Sequence, residues 1–435
     1  MNRIGHALRA RRRQFREARL ERRALRIRDR SRALFVGITG SSAKTTTAAL
    51  LRHILSTRGV VAAQLAGNLR NSLLTALDRM PANTDFVVHE IAATKIGQLK
   101  SYCETLRPHV AIVTMIELEH KSAFGKIEAV AAEKGELAAA LRCGGLAVLN
   151  ADDPLVMGMV DRTPERVVTF GRSENADYRA CDVRAHFPAG LSLQVVWKEA
   201  SLSLVSKFVG EHFWLPVLAA VATAIELHVP LSAIADRVAS FEPLFTRCGM
   251  LSIPNGPTFI VDTTKAPWYS IPLAFEIVRS TEAEHKRIVL GHMSDFASST
   301  TKYRDAYRMA RAIADQVIFV GNHRHRSKAS EADQNEGRFL AFETAEQVSN
   351  HIRRTAFPGE LILLKGSADL HLERVALSWI HEVKCWKGAC GKVQNCLDCG
   401  LYTLPYDLHR GKKRRNPGLR IWKRLGLSGL RANRV

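Results

Sequence analysis

A lysine and a threonine stand where an apolar segment gives way to a helical pattern. Leu34 to Ile38 is apolar, small residues follow, and Lys44 opens a helical pattern that runs to Gly59. Unpaired N–H groups at a helix start favour an anion, Lys44 would reach the outer phosphates of a nucleotide, and Thr45 would offer its hydroxyl to Mg²⁺. We therefore expect this phosphate loop (residues 37–46) to bind a nucleoside triphosphate. Its contact residues would be Gly37, Thr39, Gly40, Ser41, Ser42, Ala43, Lys44, Thr45 and Thr46.

Position 43 departs from the generic phosphate-loop pattern. The pattern G-x-x-x-x-G-K-[ST] has glycine where this chain has Ile38 and Ala43. If Ala43 needs a positive φ, its Cβ atom costs on the order of 1 kcal/mol. A Gly/Ser-rich turn without a ligand is the plain alternative. The Lys-Thr-Thr that follows directly favours phosphate binding.

Four of the eight cysteines cluster near the end of the chain, as Cys385-x4-Cys390-Gly and Cys396-x2-Cys399-Gly. Two Cys-Gly turns that present four thiolates predict a tetrahedral zinc site in a small ribbon or knuckle. A closed four-thiolate site leaves no open position, so its role would be structural. An iron–sulfur cluster and unliganded cysteines are the alternatives. The other four cysteines are scattered, as expected of reduced thiols in a cytosolic protein: Cys103, Cys143, Cys181 and Cys248.

The basic charge lies at the two ends of the chain. Of the formal +21, residues 1–33 carry +10 and residues 403–435 carry +9, which leaves +2 for the body. No apolar run could span a membrane and no signal peptide is evident, so we expect a cytoplasmic location. The Arg-rich head and the basic–apolar tail favour peripheral contact with the anionic inner face of the membrane over nucleic acid. A solvated helix is the third interpretation of the head.

Apolar runs alternate with helical patterns along most of the chain, which predicts an α/β fold. A mostly parallel sheet of the P-loop type would use strands near 33–38, 85–91, 110–116, 146–150 and 167–171, with antiparallel edge strands within 176–206 and a helix at 213–227. A smaller Rossmann-like α/β unit would use strands near 258–262, 287–291, 316–321 and 360–365. We predict five segments: a basic helical segment 1–33, a central nucleotide-binding domain 34–246, a C-terminal α/β domain 247–383, a four-cysteine, zinc-ribbon-like appendage 384–402 and a basic amphipathic tail 403–435.

Several short segments match one pattern, in order, between residues 34 and 380. There the chain resembles the Mur ligase family, ATP-dependent enzymes that join a carboxylate to an amine, and is most similar to the branch that adds D-alanyl-D-alanine. The segments that carry the resemblance are the phosphate loop, Ala66-Gly-Asn-Leu-Arg-Asn71, Glu90, Thr114-Met-Ile-Glu-Leu-Glu-His120, Phe124-Gly125, Glu133-Lys-Gly-Glu-Leu137, Asn150-Ala-Asp-Asp153, Gly210-Glu-His212, Arg247, Val261-Asp-Thr-Thr-Lys-Ala-Pro267, Leu290-Gly-His-Met293 and Leu364-Lys-Gly-Ser367.

The resemblance implies a set of metal-site residues. Glu90 would hold Mg²⁺ together with Thr45, and His120 would stand at the metal site. Lys134 would be carbamylated, because carbamylation turns a cation into the oxygen ligand that a second Mg²⁺ requires. With the phosphate-loop lysine, the expected catalytic residues are Lys44, His120 and Lys134.

Arg247 and Asp262 are the two further residues that the resemblance places at the nucleotide. The chain departs from the family at Phe213 and Pro216, where two asparagines are usual, and at Lys265, where a histidine is usual. These departures keep a second function open, a nucleotide-binding scaffold that has lost ligase chemistry. The basic ends and the cysteine cluster suggest a third, a nucleic-acid-associated ATPase.

The reaction that the resemblance implies has two steps. The γ-phosphoryl group of ATP passes to a substrate carboxylate, and an amine then attacks the acyl phosphate. Such transfer depends on placing the groups and neutralising oxygen charge, which Lys44, Arg247 and two Mg²⁺ ions would supply. The two domains would close around a hinge near residues 246–256.

The carboxylate substrate is expected to be held in an unusual way. Most cell-wall members carry a complete domain for a uridine-nucleotide substrate before the phosphate loop, and here a basic segment of 33 residues precedes the apolar strand. The acid could be an amino-acid polymer, a lipid- or carrier-linked acid, or a compound supplied by a partner. The process would be cell-wall or related peptide or polymer biosynthesis.

Overall fold

The computed structural model describes residues 3–65, 70–295, 298–391 and 395–409 of the 435-residue chain. Two sheets organise the described residues, each mostly parallel and covered by helices. The α/β class and the mostly parallel character of both sheets are therefore confirmed. Ala66 to Leu69, part of one expected family segment, and residues 410–435 of the expected amphipathic tail lie outside the described residues.

The first sheet belongs to the central domain. Its strands are β1 (Leu34–Thr39), β2 (Val61–Gln64), β3 (Phe86–Glu90), β4 (Val110–Val113), β5 (Leu146–Asn150), β6 (Arg166–Gly171), β7 (Tyr178–His186), β8 (Gly190–Trp197) and β9 (Ala200–Ser206). They lie in the order β2-β3-β1-β4-β5-β6-β7-β8-β9. The run from β2 to β7 is parallel, whereas β8 and β9 pair antiparallel, which confirms the expected edge extension.

The helices of this part of the chain cover both faces of the first sheet. They are α1 (Arg3–Arg30), α2 (Lys44–Leu55), α3 (Arg70–Asp78), α4 (Gln98–Leu106), α5 (Lys121–Phe124), α6 (Ile127–Ala139), α7 (Pro154–Met157), α8 (Trp214–Glu226) and α9 (Leu231–Ser240). Strands β1, β4 and β5 are buried along almost their whole length, as expected when helices cover both faces of a parallel sheet. The phosphate loop therefore starts from a rigid, buried strand.

The second sheet begins at Gly249, close to the expected boundary. Its strands are β10 (Gly249–Ser252), β11 (Thr258–Asp262), β12 (Lys286–Leu290), β13 (Gln316–Val320), β14 (Phe339–Phe342) and β15 (Leu361–Lys365), in the order β10-β11-β15-β12-β13-β14. The accompanying helices are α10 (Ser270–Ser280), α11 (Thr300–Arg311), α12 (Glu331–Asn335), α13 (Ala345–Thr355), α14 (Glu373–Leu377) and α15 (Cys396–Cys399). Strands β11 to β15 are parallel, so their carboxyl ends share one edge of the sheet.

The N-terminal segment forms the expected helix, α1, and its C-terminal half packs on the central domain. Ala24 is fully buried, whereas Phe15 on the same helix is 65% exposed. Arg28 is buried, and its guanidinium donates to the backbone oxygens of Leu106 and Arg107 at the end of α4. A cation at a helix C-terminus is favourable because that end of the helix dipole is negative. Part of the basic charge of the head thus anchors the helix.

The appendage (residues 384–402) lacks the strands of a ribbon in the part that the structure describes. Its described residues contain one short helix, α15, which Asn395 caps by accepting from the backbone N–H of Asp398. Leu397 and Tyr402 pack with Leu377 against Phe245 in the linker between the domains. Among the described helices, none has the length and apolar content needed to cross a bilayer.

Candidate active site

The phosphate loop joins β1 to α2 through two unusual backbone positions. Gly40 has φ +141°, and a Cβ atom there would lie 2.0 Å from Oγ1 of Thr114, so only glycine fits. Ala43 has φ 65° and precedes α2 without a side-chain cap. The positive φ anticipated for Ala43 is therefore present. Helix α2 starts with its backbone N–H groups directed to the loop, as an anion site requires.

Neighbouring strand ends hold the loop in shape. The backbone N–H of Ser41 donates to Met115 O over 2.7 Å, and the Ser41 hydroxyl donates to Glu117 O over 2.8 Å. Thr114 donates its hydroxyl to Ser42 O over 2.6 Å. The segment that follows β4 is therefore the support on which the phosphate loop rests.

Lys44 is buried and folds back over the loop. Its ammonium group donates to Gly40 O and lies 3.4 Å from Ser41 O. The backbone of the loop thus places the charge of Lys44 at the loop rather than in solvent. At this position the ammonium of Lys44 could bind an oxygen of a phosphate group held by the loop.

Thr45 links the end of β3 to the segment that leads into the second sheet. Its hydroxyl donates to Oε2 of Glu90 over 2.8 Å, and it accepts from the guanidinium of Arg247 over 3.0 Å. Glu90 ends β3, whereas Arg247 lies in the linker that leads to the second sheet. Three of the expected site residues therefore meet at one hydroxyl group.

A buried ion pair lies on the other side of Lys44. The ammonium of Lys134, on α6, donates to Oε1 of Glu119 over 2.6 Å, and both side chains are almost fully buried. Burial, together with the nearby cation Lys44, lowers the pKa of Lys134 to about 8, although Glu119 opposes the shift. Burial alone would raise the pKa of Glu119, but Lys44, Lys134 and Lys265 bring it below its ordinary value.

Several cations gather around the phosphate loop. Three lysines, Lys44, Lys134 and Lys265, act on the single carboxylate of Glu119. Lys265 follows β11 and is exposed, and its charge interacts with those of Lys44 and Glu119. Opposite charges attract strongly where water is excluded, so these cations would attract a polyanion. The electrostatics of the site suit a triphosphate.

The segment after β11 contributes one more contact to the phosphate loop, and Asp262 at the end of that strand forms an ion pair nearby. The hydroxyl of Tyr269 donates to Ser41 O over 3.1 Å. Asp262, an expected nucleotide contact, instead lies 2.7 Å from the ammonium of Lys365 at the end of β15. Lys365 also donates to Lys265 O over 2.7 Å. Asp262 therefore braces the segment that carries Lys265.

His120 is the expected catalytic residue that the structure ties least to the others. It precedes α5 with φ 48°, and its side chain is half-buried. In the described part of the chain it joins neither the Thr45–Glu90 pair nor the Glu119–Lys134 pair. Its assignment to the metal site stays a prediction.

The four clustered cysteines line one cavity, and their service as a four-thiolate metal site stays a prediction. Cys385, Cys390, Cys396 and Cys399 line one cavity, together with His371, Arg374, Tyr402 and His409. The buried guanidinium of Arg374 donates to Cys396 Sγ over 2.9 Å, and His371 Nε2 lies 3.1 Å from Cys390 Sγ. Donor atoms of His371, Glu373 and Cys396 lie within 4.8 Å of one another. The cavity combines thiols with a buried cation, a set of groups suited to a metal–thiolate cluster.

Sequence patterns missed several residues of these two sites. Glu119 stands one position before His120 in a segment that the sequence analysis quoted, so its place in that block was the available signal. Tyr269 lies outside every quoted motif and carried no signal. Glu373 and Arg374 precede the first cysteine by at least 11 positions, so cysteine spacing alone could not reveal them.

Comparison with known proteins gives a consistent result. Residues 38–224 match the Mur ligase middle domain. The UDP-N-acetylmuramoyl-tripeptide–D-alanyl-D-alanine ligase of Mycobacterium tuberculosis (strain ATCC 25618 / H37Rv) is 27% identical over 376 residues, which cover 80% of this chain and 73% of that protein. A crystal structure of MurF from Acinetobacter baumannii has a TM-score of 0.76 at 22% identity, covering 84% of this chain and 80% of that one. MurF ligase from Thermotoga maritima in complex with ADP has a TM-score of 0.71 at 19% identity, covering 83% of each chain.

Proposed function

We propose that this chain, whose residues 38–224 match the Mur ligase middle domain, is an ATP-dependent ligase of that family that forms an amide bond between a carboxylate and an amine. The carboxylate oxygen attacks the γ-phosphorus of ATP, ADP leaves, and an acyl phosphate forms. The amine then attacks the acyl carbon, phosphate leaves, and the amine gives up a proton. The product would enter peptidoglycan or related peptide biosynthesis in the cytoplasm.

The observation that carries this proposal is the meeting of Glu90 and Arg247 on the hydroxyl of Thr45. That hydroxyl lies at the start of α2, directly after Lys44, and is bound from both domains. A nucleotide held there would lie between the domains. Closing two domains around a phosphoryl group excludes water, which would otherwise accept the phosphoryl group in place of the substrate.

The proposed roles follow from the charges. Lys44 and the N–H groups of the phosphate loop would hold the outer phosphates, and Arg247 would neutralise charge on the phosphoryl group as it moves. Lys265 would supply a further cation beside Lys44. Asp262 would act on the nucleotide indirectly, because its carboxylate is engaged by Lys365.

The residues at Thr45 fit a magnesium ion. The Thr45 hydroxyl and the Glu90 carboxylate are oxygen donors 2.8 Å apart, which is the ligand type that Mg²⁺ prefers. Mg²⁺ bound there would neutralise oxygen charge on the phosphates. His120 and Lys134 are proposed for a second ion, and Lys134 fits that role only in carbamylated form, because an ammonium group has no lone pair.

The surroundings of Lys134 support carbamylation. The neutral amine attacks the carbon of CO₂, a C–N bond forms, and a proton leaves. A lowered pKa, about 8, makes the neutral amine far more abundant near neutral pH than for an ordinary lysine. In the structure the carboxylate of Glu119 is bound to the ammonium of Lys134. After carbamylation it would have to turn towards a cation such as Lys44 or Lys265.

We further propose that Cys385, Cys390, Cys396 and Cys399 hold one structural zinc ion. The support is that all four line a single cavity, with three of the four side chains buried. Four thiolates complete a tetrahedral zinc site and leave no position for a substrate. The metal content of the purified protein tests this, with Cys143→Ser as the control because Cys143 is exposed and remote in sequence from the cluster.

The activity test is ADP release that requires two co-substrates. Purified protein is supplied with Mg²⁺ and ATP, then with panels of carboxylic acids and amines, including carrier-linked acids and D-alanyl-D-alanine. The proposal expects ADP only when an acid and an amine are both present, and none with Lys44→Ala. ATP binding without turnover under all pairs would favour the scaffold, and stimulation by DNA or RNA would favour a nucleic-acid-associated ATPase.

A further inference from the structure

The cysteine cluster lies against the two segments that carry Arg247 and Lys265. Leu397 and Tyr402 pack against Phe245, two residues before Arg247 in the linker. Through helix α14 the cluster also contacts the end of β11, the strand that leads to Lys265. The appendage is therefore attached to the part of the second domain that faces the phosphate loop.

Glu373 makes the connection between cluster and strand. Its carboxylate is 1% exposed and accepts on both oxygens. Oε1 accepts from the backbone N–H of Cys396 over 2.9 Å, and Oε2 accepts from the hydroxyl of Thr263 over 3.2 Å. A buried carboxylate that is hydrogen-bonded at both ends fixes its two partners relative to each other, because either contact is costly to leave unmade.

Thr263 in turn holds the segment that carries the cations of the second domain. Its backbone N–H donates to Thr246 O over 3.2 Å, and the adjacent Thr264 donates its hydroxyl to Thr246 Oγ1 over 2.7 Å. Thr246 precedes Arg247, which donates to Thr45, and Thr264 precedes Lys265. The two cations are thus fixed by the same pair of threonine contacts.

Arg374 indicates the charge state for which the cluster is built. Its guanidinium is 2% exposed and is placed by Cys396 Sγ and by Lys387 O, which accepts over 2.9 Å. One zinc ion and its four thiolates together have a net charge of −2. A buried arginine beside them offsets one of these two charges. A buried cation is tolerated only with such compensation. The buried carboxylate of Glu373 also acts on Arg374, so the surroundings of the cysteines are compatible with a metal-loaded cluster.

We propose that Glu373 is a positioning residue for the ligase reaction: through Thr263 it holds Arg247 and Lys265 against the phosphate site, and it does so fully only when the cysteine cluster carries zinc. The inference rests on the proposed zinc site and on the proposed ATP site. Replacing a residue that orients the contact residues of a site from outside commonly lowers metal affinity or activity by about 10- to 100-fold, and an effect at the lower end of this range is expected on the phosphate site.

The test measures zinc content and Mg²⁺·ATP affinity of the same full-length preparations. Thr263→Val and Glu373→Gln should keep one zinc per chain and bind ATP about tenfold more weakly. The double variant should bind ATP no more weakly than the weaker-binding single variant, because both substitutions break the same connection between Glu373 and Thr263. Thr258→Val, at the other end of β11, should bind ATP as the unaltered protein does.

A second measurement needs no substitution. Stripping zinc from the unaltered protein with a chelator should weaken ATP binding to a similar extent, and reloading zinc should restore it. Zinc-loaded Thr263→Val and Glu373→Gln with unchanged ATP affinity would overturn this inference alone. A protein that binds ATP but takes up no zinc would overturn the zinc site and this inference, and one that takes up zinc but binds no ATP would overturn the proposed ligase function and this inference.

Discussion

The carboxylate of Glu119 lies 2.6 Å from the ammonium of Lys134 in the interior of the central domain, and both side chains are buried. A buried ion pair stores no large net stability, because desolvating both charges costs much of what their attraction returns. What it provides is a lysine that is held in place beside Lys44 and whose proton is held weakly. We therefore expect Lys134 to respond to pH and to CO₂.

We expect activity to depend on bicarbonate, with a pH profile set by Lys134. Its pKa is lowered to about 8, so the neutral amine increases as pH rises through that value. At pH 7 about one Lys134 in ten would be neutral, against roughly one in several thousand for an ordinary lysine. Protein depleted of CO₂ should therefore regain ADP release on addition of bicarbonate, faster at pH 8.5 than at pH 6.5 (values chosen to lie about 0.5 above and 1.5 below that pKa).

The matched control is Lys134→Arg, which keeps a positive charge but forms no carbamate at neutral pH. It should stay inactive at every bicarbonate concentration. Carbon-13 NMR with labelled bicarbonate should show a carbamate signal that this variant lacks. Full activity of the unaltered protein without CO₂ would contradict the assignment.

Ala43 is expected to be a position where glycine is tolerated or stabilising. Its φ of 65° places the backbone of Ala43 in the left-handed region, which costs a residue with a Cβ atom about 1 kcal/mol. Ala43→Gly should leave the free energy of unfolding unchanged or raise it by up to about 1 kcal/mol, because the flexibility of glycine in the unfolded chain offsets part of the relief.

Ala49→Gly is the control for this effect, since Ala49 lies inside the same helix and is buried. There the substitution should lower the free energy of unfolding by about 1 kcal/mol or more. Urea unfolding of the two variants measures both effects. A loss at Ala43 as large as that at Ala49 would show that the backbone of the loop is not strained.

The outer face of α1 should bind an anionic membrane surface. Arg19 and Arg22 are exposed on that helix, whereas Arg28 is buried and serves as an anchor. The protein should pellet with vesicles that contain phosphatidylglycerol, not with neutral vesicles, and less at high salt. Removing both charges with glutamine should lower binding about tenfold or more, since each basic residue near such a surface contributes about 1 kcal/mol.

Glutamine at Arg279 and Arg308, which are exposed on other helices, removes the same charge and should have little effect. Equal loss in both double variants would mean that net charge, and not α1, governs the binding. Unchanged binding after substitution of Arg19 and Arg22 would exclude α1 as the contact surface.

Local patterns predicted the parts of the site that one short segment determines. The strand, loop and helix around Lys44 follow directly from the order of apolar, small and helix-forming residues, whereas Glu90 was identified through the family resemblance, because a glutamate at a strand end carries no specific signal. Arg247 lies 202 positions from its partner Thr45, so only the family resemblance could bring them together. Sequence periodicity carries no information about such distant pairs.

Other features escaped because their signal was weak or absent. Strand β2 has four half-buried residues, three of them small or β-branched in no clear alternation, so its pattern did not stand out. The cysteine spacing predicted a shared site, and the four cysteines line one cavity, but the spacing gave no sign of Arg374 or Glu373, which reach that cavity from another helix. The expected ribbon was wrong for the described residues, because two Cys-Gly turns do not require strands between them.

The most direct test of the account compares two threonines of helix α2. Thr45 binds Glu90 and Arg247 through its hydroxyl, whereas the buried hydroxyl of Thr47 has no hydrogen-bond partner among the residues that the structure describes. Calorimetric titration of Mg²⁺·ATP into Thr45→Val should show affinity about 10- to 100-fold below that of the unaltered protein, and Thr47→Val should match the unaltered protein. If Thr45→Val binds Mg²⁺·ATP as tightly as Thr47→Val, the nucleotide does not lie at the phosphate loop and the assignment of the active site is wrong.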